Sequence, residues 1–536
     1  MVLLLKTKLL QIGLESKKIN RTLIQRKIVF LSLINITLIN SFFTSKFSRN
    51  SFLIACVVYL FSAYHSIGFY HADEHYQILE FANMKLGNSP AEELPWEYDK
   101  KIRPVVQVSF AMVVIRSLQQ ISITSPYTQA LVLRCITALL ILLTSTFFIR
   151  KTRYLFTDLK QEKWYILSSY FLWFLPFLSA RFSSEIWSGV FFLWMISLYL
   201  EKDTSKRNVF LMGFLAAVSF LFRFQIAFAL FGFFSWLFFM RVESKRFYLK
   251  YITAFIMVLI FGFLLDSWFY ETLTFTPFNY LNEFIATNDK SNYGASPWYY
   301  YLEKIISFPG LFIGIPLFIS LLFFFIKNPK NMFTWILVSF LFFHSIVGHK
   351  EERFMFPMVF MFPLILSFGY SKYLHNRKPK VIFRVVLVLF FAVNFFLIFL
   401  MSTKGAGRGR LVIAEYVYEH YQDKEIDLIY TTKGYLFEDP SGPLFMNFYK
   451  QQKLHTIEVS NLCEISTILN ENKDEKLVVI ELGDLLQNDC LIMENAIFLK
   501  ESLPIRKEWI LAMNNFGFKT SKLDKILLLY KFNERK

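Results

Sequence analysis

Two charged patches flank long apolar runs in this chain: His71-Ala72-Asp73-Glu74-His75-Tyr76-Gln77, and His349-Lys350-Glu351-Glu352-Arg353-Phe354. Ionisable side chains at a membrane boundary are expensive to keep and mark working groups. Asp73, with Glu74 beside it, is a carboxylate placed to accept a proton from a hydroxyl nucleophile. The plainer use of the same pair is structural, Asp73 as an N-cap and Glu74 as a first-turn acid favoured by the helix dipole. Basic residues supply the complementary half. Arg103 follows Trp96-Glu97-Tyr98-Asp99-Lys100-Lys101, and His349, Lys350 and Arg353 fall within five positions. Such donors suit the charge that builds on the bridging oxygen of an anionic phosphate leaving group. Pairing with Glu351 and Glu352, or snorkelling to lipid headgroups, is the alternative use.

Arg223 interrupts an apolar stretch, Val209 to Met240, and so close to hydrocarbon it needs an anionic partner. Glu185 and Asp266, each at the end of an apolar block, are the candidates, in either a structural pair or a substrate contact. The aromatic loop Tyr293-Gly294-Ala295-Ser296-Pro297-Trp298-Tyr299-Tyr300-Tyr301 fits an interfacial aromatic belt or a surface for stacking sugar rings. No His/Cys/carboxylate spacing specifies a metal, and there is no phosphate-binding glycine loop and no nucleophile elbow.

These residues need a membrane to position them. The 536 residues are 55% hydrophobic and 18% charged, with a mean hydropathy of +0.40 and 65 Phe. The apolar residues come in blocks of roughly 17 to 22, the length that spans a bilayer. A net charge of +17 could suggest nucleic acid, but the Lys and Arg sit in short gaps between apolar blocks, as the positive-inside rule requires. Cys56 and Cys135 lie within apolar blocks, so Cys463 and Cys490 are the two that could pair. No removable signal peptide is expected.

Residues 1–50 are basic, and Ile28 to Phe43 reads as an interfacial helix on the cytoplasmic face. Eleven spans are expected over 51–402, starting near residues 51, 128, 164, 186, 208, 224, 251, 309, 332, 354 and 381. The basic gaps at Arg150/Lys151/Arg153, Lys202/Lys206/Arg207, Arg241/Lys245/Arg246, Lys327/Lys330 and Lys372/Arg377/Lys378 then alternate on the cytoplasmic side. Pro104 to Gln120, with Gln107 and Arg116, is expected to be a juxtamembrane helix rather than a crossing, and Asp73 to Leu86 a helix lying along the membrane surface. The external side receives loop 70–127, the Arg181/Glu185 turn, the neighbourhood of Arg223, loop 266–308, the gap 349–353 and everything after 402. From about residue 403 the composition changes. Strand-like runs Ile426 to Tyr430, Lys476 to Leu482 and Ile526 to Phe532 alternate with helical patterns at Leu411 to Tyr421 and Cys463 to Asn472, which suggests a soluble α/β domain over 403–536.

Taken in order, the motifs resemble those of family 22 glycosyltransferases, mannosyltransferases that use polyprenyl-phosphate-linked mannose and include GPI-anchor and N-glycan-precursor enzymes. Five segments carry the resemblance: His71 to Gln77, similar to the family's Pro-Asp-Glu-Tyr-Trp-Gln stretch; Trp96-Glu97-Tyr98 with Arg103; Ala180-Arg181-Phe182-Ser183-Ser184-Glu185; Asp266-Ser267-Trp268-Phe269-Tyr270 running on to Tyr293-Gly294 and Pro297-Trp298; and His349 to Phe354. Ala72 stands for the usual Pro, Ser184 for the usual Asn, and Ser296 and Tyr299 where His is common.

The resemblance implies a mainly α, polytopic fold of the GT-C class. It implies Asp73 as catalytic base with Glu74 beside it, and a donor phosphate held by His349, Lys350, Arg353 and Arg103. Glu185, Arg223, Asp266, Tyr293 and Trp298 would line the substrate site. The implied reaction is a single displacement with inversion, from a polyprenyl-phosphate hexose to a glycan or glycolipid hydroxyl on the non-cytoplasmic face, with no metal or other cofactor. A transporter or flippase for a lipid-linked sugar and a non-catalytic subunit of an envelope-assembly complex are the rival classes. The former often shows related halves with broken helices, which this chain lacks. No Asn-X-Ser/Thr acceptor falls in the external segments, which favours a bacterial inner membrane with the terminal domain in the periplasm over the endoplasmic reticulum.

Overall fold

The computed structural model describes residues 43, 45–156, 158–201, 208–283, 294–373, 381–403, 405–406, 409–431, 434–439, 444–471, 475–486, 490, 496–503 and 526–532. The interfacial helix expected over 28–43 lies outside them but for Phe43, and so does Tyr293. Residues up to Leu53 and from Ile54 onward form two compact units.

The chain is mainly helical. Among the described residues, Lys46–His65, Pro126–Leu155, Lys245–Tyr270, Glu352–Ser371 and Arg384–Ser402 are each long and apolar enough to cross a membrane. Leu311–Lys327 and Met332–Ile346, bent by 118°, pass that test as a pair, and Val209–Phe222 and Phe224–Met240 are apolar but shorter. Length and composition therefore mark five spans, six with the bent pair, where eleven were expected. The difference lies in helices such as Ser184–Tyr199 and Val209–Phe222, which are short and largely buried among their neighbours.

Two expectations for the first loop fail. Asp73 to Leu86 is not one surface helix but two short ones, Asp73–Tyr76 and Leu79–Lys85, broken at Ile78. Ile78, Leu79, Phe81 and Ala82 are buried, so both faces of the segment are covered and no surface stripe is left. Nor does Asp73 cap anything: the cap position is Ala72, and no side chain caps that helix.

Several basic gaps converge at one end of the bundle. Lys151 pairs with Glu201, Tyr199 donates to Glu243 at 2.9 Å, and the Trp236 indole donates to the Lys330 carbonyl at 2.9 Å. At the other end the helices break where charge must be delivered. Arg223 is extended between Val209–Phe222 and the turn Phe224–Ile226. The segment Glu352–Met361 is a 3-10 helix containing Pro357, which has no N–H to donate. Gly189 on the Ser184–Tyr199 helix faces that proline, and a Cβ there would lie 2.6 Å from Pro357 Cα and from its carbonyl oxygen. This contact sets the distance between the helix carrying Glu185 and the segment carrying Arg353.

After residue 410 the chain builds a five-stranded sheet, order β4-β1-β5-β7-β6, from β1 (Ile426–Thr431), β4 (Leu454–Val459), β5 (Lys476–Glu481), β6 (Ala496–Glu501) and β7 (Leu527–Phe532). The short strands β2 (Glu438–Asp439) and β3 (Leu444–Phe445) pair separately. β4, β1 and β5 run parallel, whereas β7 is antiparallel to both β5 and β6. Strand alternation divides the core. Ile429, Val478 and Ile480 meet Leu462 and Ile465 on one face, while Leu428, Tyr430, Leu477 and Val479 face Ile413 and Val417. That second core is continuous with Tyr76, Leu79 and Phe81 of the first loop.

Gly189→Ala is expected to destabilise the folded protein by about 1–3 kcal/mol, because the added methyl meets backbone that cannot yield. Thermal unfolding in detergent reads this, and an unchanged midpoint would show that the two segments part freely.

Candidate active site

Asp73 and Glu74 are the first two residues of the short helix Asp73–Tyr76, and the turn of the helix between them sends their side chains in different directions. Asp73 Oδ2 lies 2.5 Å from Arg353 Nη1, 3.6 Å from Arg103 Nη2 and 3.9 Å from Arg223 Nη1. The closest of these approaches, Asp73 Oδ2 to Arg353 Nη1, is between two buried atoms, so the cations surround this oxygen away from water. Burial pushes the Asp73 carboxyl up, but the guanidinium groups of Arg353, Arg103 and Arg223 outweigh it and keep it well below the usual carboxylate range.

Each arginine has a second acid. Arg353 grips Glu351 through Nε at 2.7 Å and Nη2 at 2.8 Å, and its Nη1 is 3.7 Å from Glu185. Arg223 Nη2 is 3.4 Å from Glu185, and Arg103 Nη2 is 3.4 Å from Glu97. The guanidinium charges are therefore matched within the cluster. A further anion therefore competes with these carboxylates for the guanidinium groups.

Glu74 faces away from this group. It accepts the Tyr70 N–H at 3.2 Å and lies 3.9 Å from Arg181 Nη1. Burial pushes its carboxyl up to about 7, with Arg181 and the Tyr70 N–H opposing the shift and Glu185 adding to it. Behind it, His75 Nε2 meets Glu80 Oε1 at 2.6 Å, and Glu80 also accepts the Phe448 N–H at 3.0 Å. The His75 ring is stacked between Phe69 and Tyr449, each 5.3 Å away. The segment before β4 thus braces the loop that carries both acids.

The structure brings together Asp73, Arg103, Glu185, Arg223 and Arg353, and leaves other expected residues apart. Lys350 gives its ammonium to the carbonyls of Val347 at 2.5 Å and Ser296 at 2.9 Å, which ties the aromatic loop to the 349–353 gap. His349 pairs with Glu351 at 3.0 Å. Asp266 accepts the Val105 N–H at 2.9 Å and the Thr276 hydroxyl at 2.6 Å, so it anchors the start of the Val106–Gln120 helix and is not the partner of Arg223. Trp298 is 67% exposed, outside the cluster. Glu351, Glu97 and Arg181 were not among the expected site residues, although all three lie within the motifs quoted above. A small pocket lies beside the cluster, with Arg103, Arg223, Gln77, Gln107, Gln225 and Tyr280 in its wall.

The sequence profile of the Alg9-like mannosyltransferase family matches residues 50–433, which contain every side chain of this cluster. The chain belongs to that family. It is 28% identical over 247 residues to GPI mannosyltransferase 3 of Saccharomyces cerevisiae, covering 42% of this chain and 37% of that protein. It is 27% identical over 155 residues to the "Probable Dol-P-Man:Man(7)GlcNAc(2)-PP-Dol alpha-1,6-mannosyltransferase" of Schizosaccharomyces pombe, covering 28% of each. The chain thus spans well under half the length of either relative. A crystal structure of ArnT from Cupriavidus metallidurans bound to undecaprenyl phosphate aligns with 90% of this chain and 97% of that one, at 13% identity and a TM-score of 0.49.

Because the Glu74 carboxyl is raised in the folded protein, its ionisation opposes folding: this contribution to stability is complete below about 4.5 and is lost as pH rises through about 7. Glu74→Gln is expected to flatten the fall in unfolding midpoint between those values. An equally steep fall in the variant would assign the effect to another group.

Proposed function

We propose that the protein is an integral-membrane mannosyltransferase that moves a hexose from a polyprenyl-phosphate donor to a glycan or glycolipid hydroxyl. One observation carries the reading: a buried carboxylate, Asp73, within 3.9 Å of three guanidinium groups that come from distant parts of the chain. A transporter for a lipid-linked sugar would also need the cations, and membership of a mannosyltransferase family favours the transferase.

In this reading Arg353, Arg103 and Arg223 take the donor phosphate, and family membership supplies the donor class. Lys350 and His349, expected as phosphate ligands, serve instead to hold the 349–353 segment in place. The acceptor hydroxyl oxygen attacks the anomeric carbon as the carbon–oxygen bond to phosphate breaks. The electron pair leaves on the phosphate, the proton passes to Asp73, and the configuration at carbon inverts. No metal is assigned, since guanidinium groups meet the charge on the leaving oxygen.

A carboxylate surrounded by three cations is a weak base. Once the phosphate occupies the guanidinium groups Asp73 loses their field and its basicity rises, so the base becomes competent when the donor is in place. The shorter apolar helices complete the crossings, eleven in all, with the Asp73 cluster on the non-cytoplasmic side. The Cys463–Cys490 disulfide supports that side for the terminal sheet, because disulfides persist in oxidising compartments such as a periplasm or the lumen of the endoplasmic reticulum.

Asp73→Asn is expected to lower transfer from polyprenyl-phosphate-mannose by at least about 100-fold, the usual scale for a general base. The protein should stay folded, because Glu97, Glu185 and Glu351 remain to pair the arginines. Product mass and linkage analysis reads the outcome, and a variant that turns over at the wild-type rate removes Asp73 from the chemistry.

A further inference from the structure

Gln107 lies in the first turn of the Val106–Gln120 helix and is only 3% exposed. Both its side-chain oxygen and its side-chain nitrogen are buried and have no hydrogen-bond partner among the described residues. A buried carboxamide left unmet costs free energy that an apolar residue of the same shape would not. The same cavity wall holds Gln77, whose amide N–H donates to Glu97 at 2.9 Å, and Gln225, whose amide N–H donates to Tyr280 at 2.6 Å. Those bonds turn the two amide nitrogens to protein partners and leave carbonyl oxygens as acceptors. Arg103 and Arg223 share the wall and lie within 3.9 Å of Asp73.

The chemistry of this wall is divided. Two guanidinium groups at one part suit an anion, whereas three uncharged amides suit hydroxyls. A carboxamide offers a donor and an acceptor side by side, which matches two neighbouring hydroxyls of a polyol ring. A ligand that is anionic at one end and a neutral polyol at the other is a sugar phosphate.

We propose that Gln107 is the residue that reads the hydroxyls of the transferred hexose, with Gln77 and Gln225 as flanking acceptors, and so sets which sugar the enzyme accepts. The inference rests on the transferase reading for its biological meaning, but its test is a binding measurement that needs no turnover.

The full-length protein and the variants Gln107→Leu and Gln107→Met are titrated with mannosyl phosphate and with inorganic phosphate, and their unfolding midpoints are measured. Wild type should bind mannosyl phosphate more tightly than inorganic phosphate by about 10- to 100-fold, the worth of one to two good hydrogen bonds. Both variants should erase that difference, keep the affinity for inorganic phosphate within about twofold, and unfold at the same or a higher temperature. Methionine, nearly the shape of glutamine, guards against a packing artefact in the leucine variant. Three results would overturn the proposal: a wild type indifferent to the sugar, variants that keep the preference, or variants that lose inorganic phosphate equally. A Gln107 result as predicted alongside a wild type that transfers nothing would leave the sugar-reading residue standing and overturn the transferase reading.

Discussion

The architecture at the end of the bundle that carries Asp73 depends on the burial of one negative oxygen among three positive groups. Asp73, Arg103, Arg223 and Arg353 are far apart in the chain, and each guanidinium has its own second acid in Glu97, Glu185 or Glu351. Buried charge is tolerable only when it is paired and its remaining hydrogen-bonding groups are met. Here the charges are paired, with Asp73 Oδ2 and Arg353 Nη1 buried together at the centre of the cluster. Such a cluster is held together yet retains groups that an incoming anion can recruit.

Local departures from regular structure serve this cluster. The helix that would run from Val209 to Met240 opens at Arg223, which lets the guanidinium reach Glu185 and Asp73. The 3-10 segment Glu352–Met361 carries Arg353, and Gly189 allows it to approach the helix of Glu185. The two short helices of the first loop place Asp73 on one side and Glu74 on the other, so neighbouring acids acquire opposite shifts. Glu80, His75 and Phe448 then tie that loop to the C-terminal sheet region.

What could be read from the chain follows from the range of each interaction. Arg223 declared itself because an arginine in a long apolar stretch has few physical excuses, and Glu185, one of its two candidate partners, lies beside it together with Asp73. Runs of alternating or continuous apolar residues at Ile426 to Tyr430 and Lys476 to Leu482 form β1 and β5 because strand periodicity is local. Asp266 was equally plausible as a partner by its position, and only the fold shows it spent on Val105 and Thr276. Lys350 looked like a phosphate ligand, but backbone carbonyls took it, and no residue pattern announces such a bond. The meeting of Glu80 with Phe448 and the solitude of Gln107 are long-range facts with no local signal. Among the described residues five helices, six with the bent pair, are long and apolar enough to cross a membrane, so length alone does not yield the eleven crossings expected.

If the three arginines serve Asp73 at rest and a phosphate at work, the carboxylate and the phosphate compete for the same charge. The most direct test is the equilibrium binding of sugar-free polyprenyl phosphate to wild type and to Asp73→Asn in detergent micelles. The account predicts tighter binding to the variant, by about tenfold or more, since a neutral amide no longer opposes the anion. Equal or weaker binding to Asp73→Asn would contradict it, and would mean that the phosphate is held elsewhere.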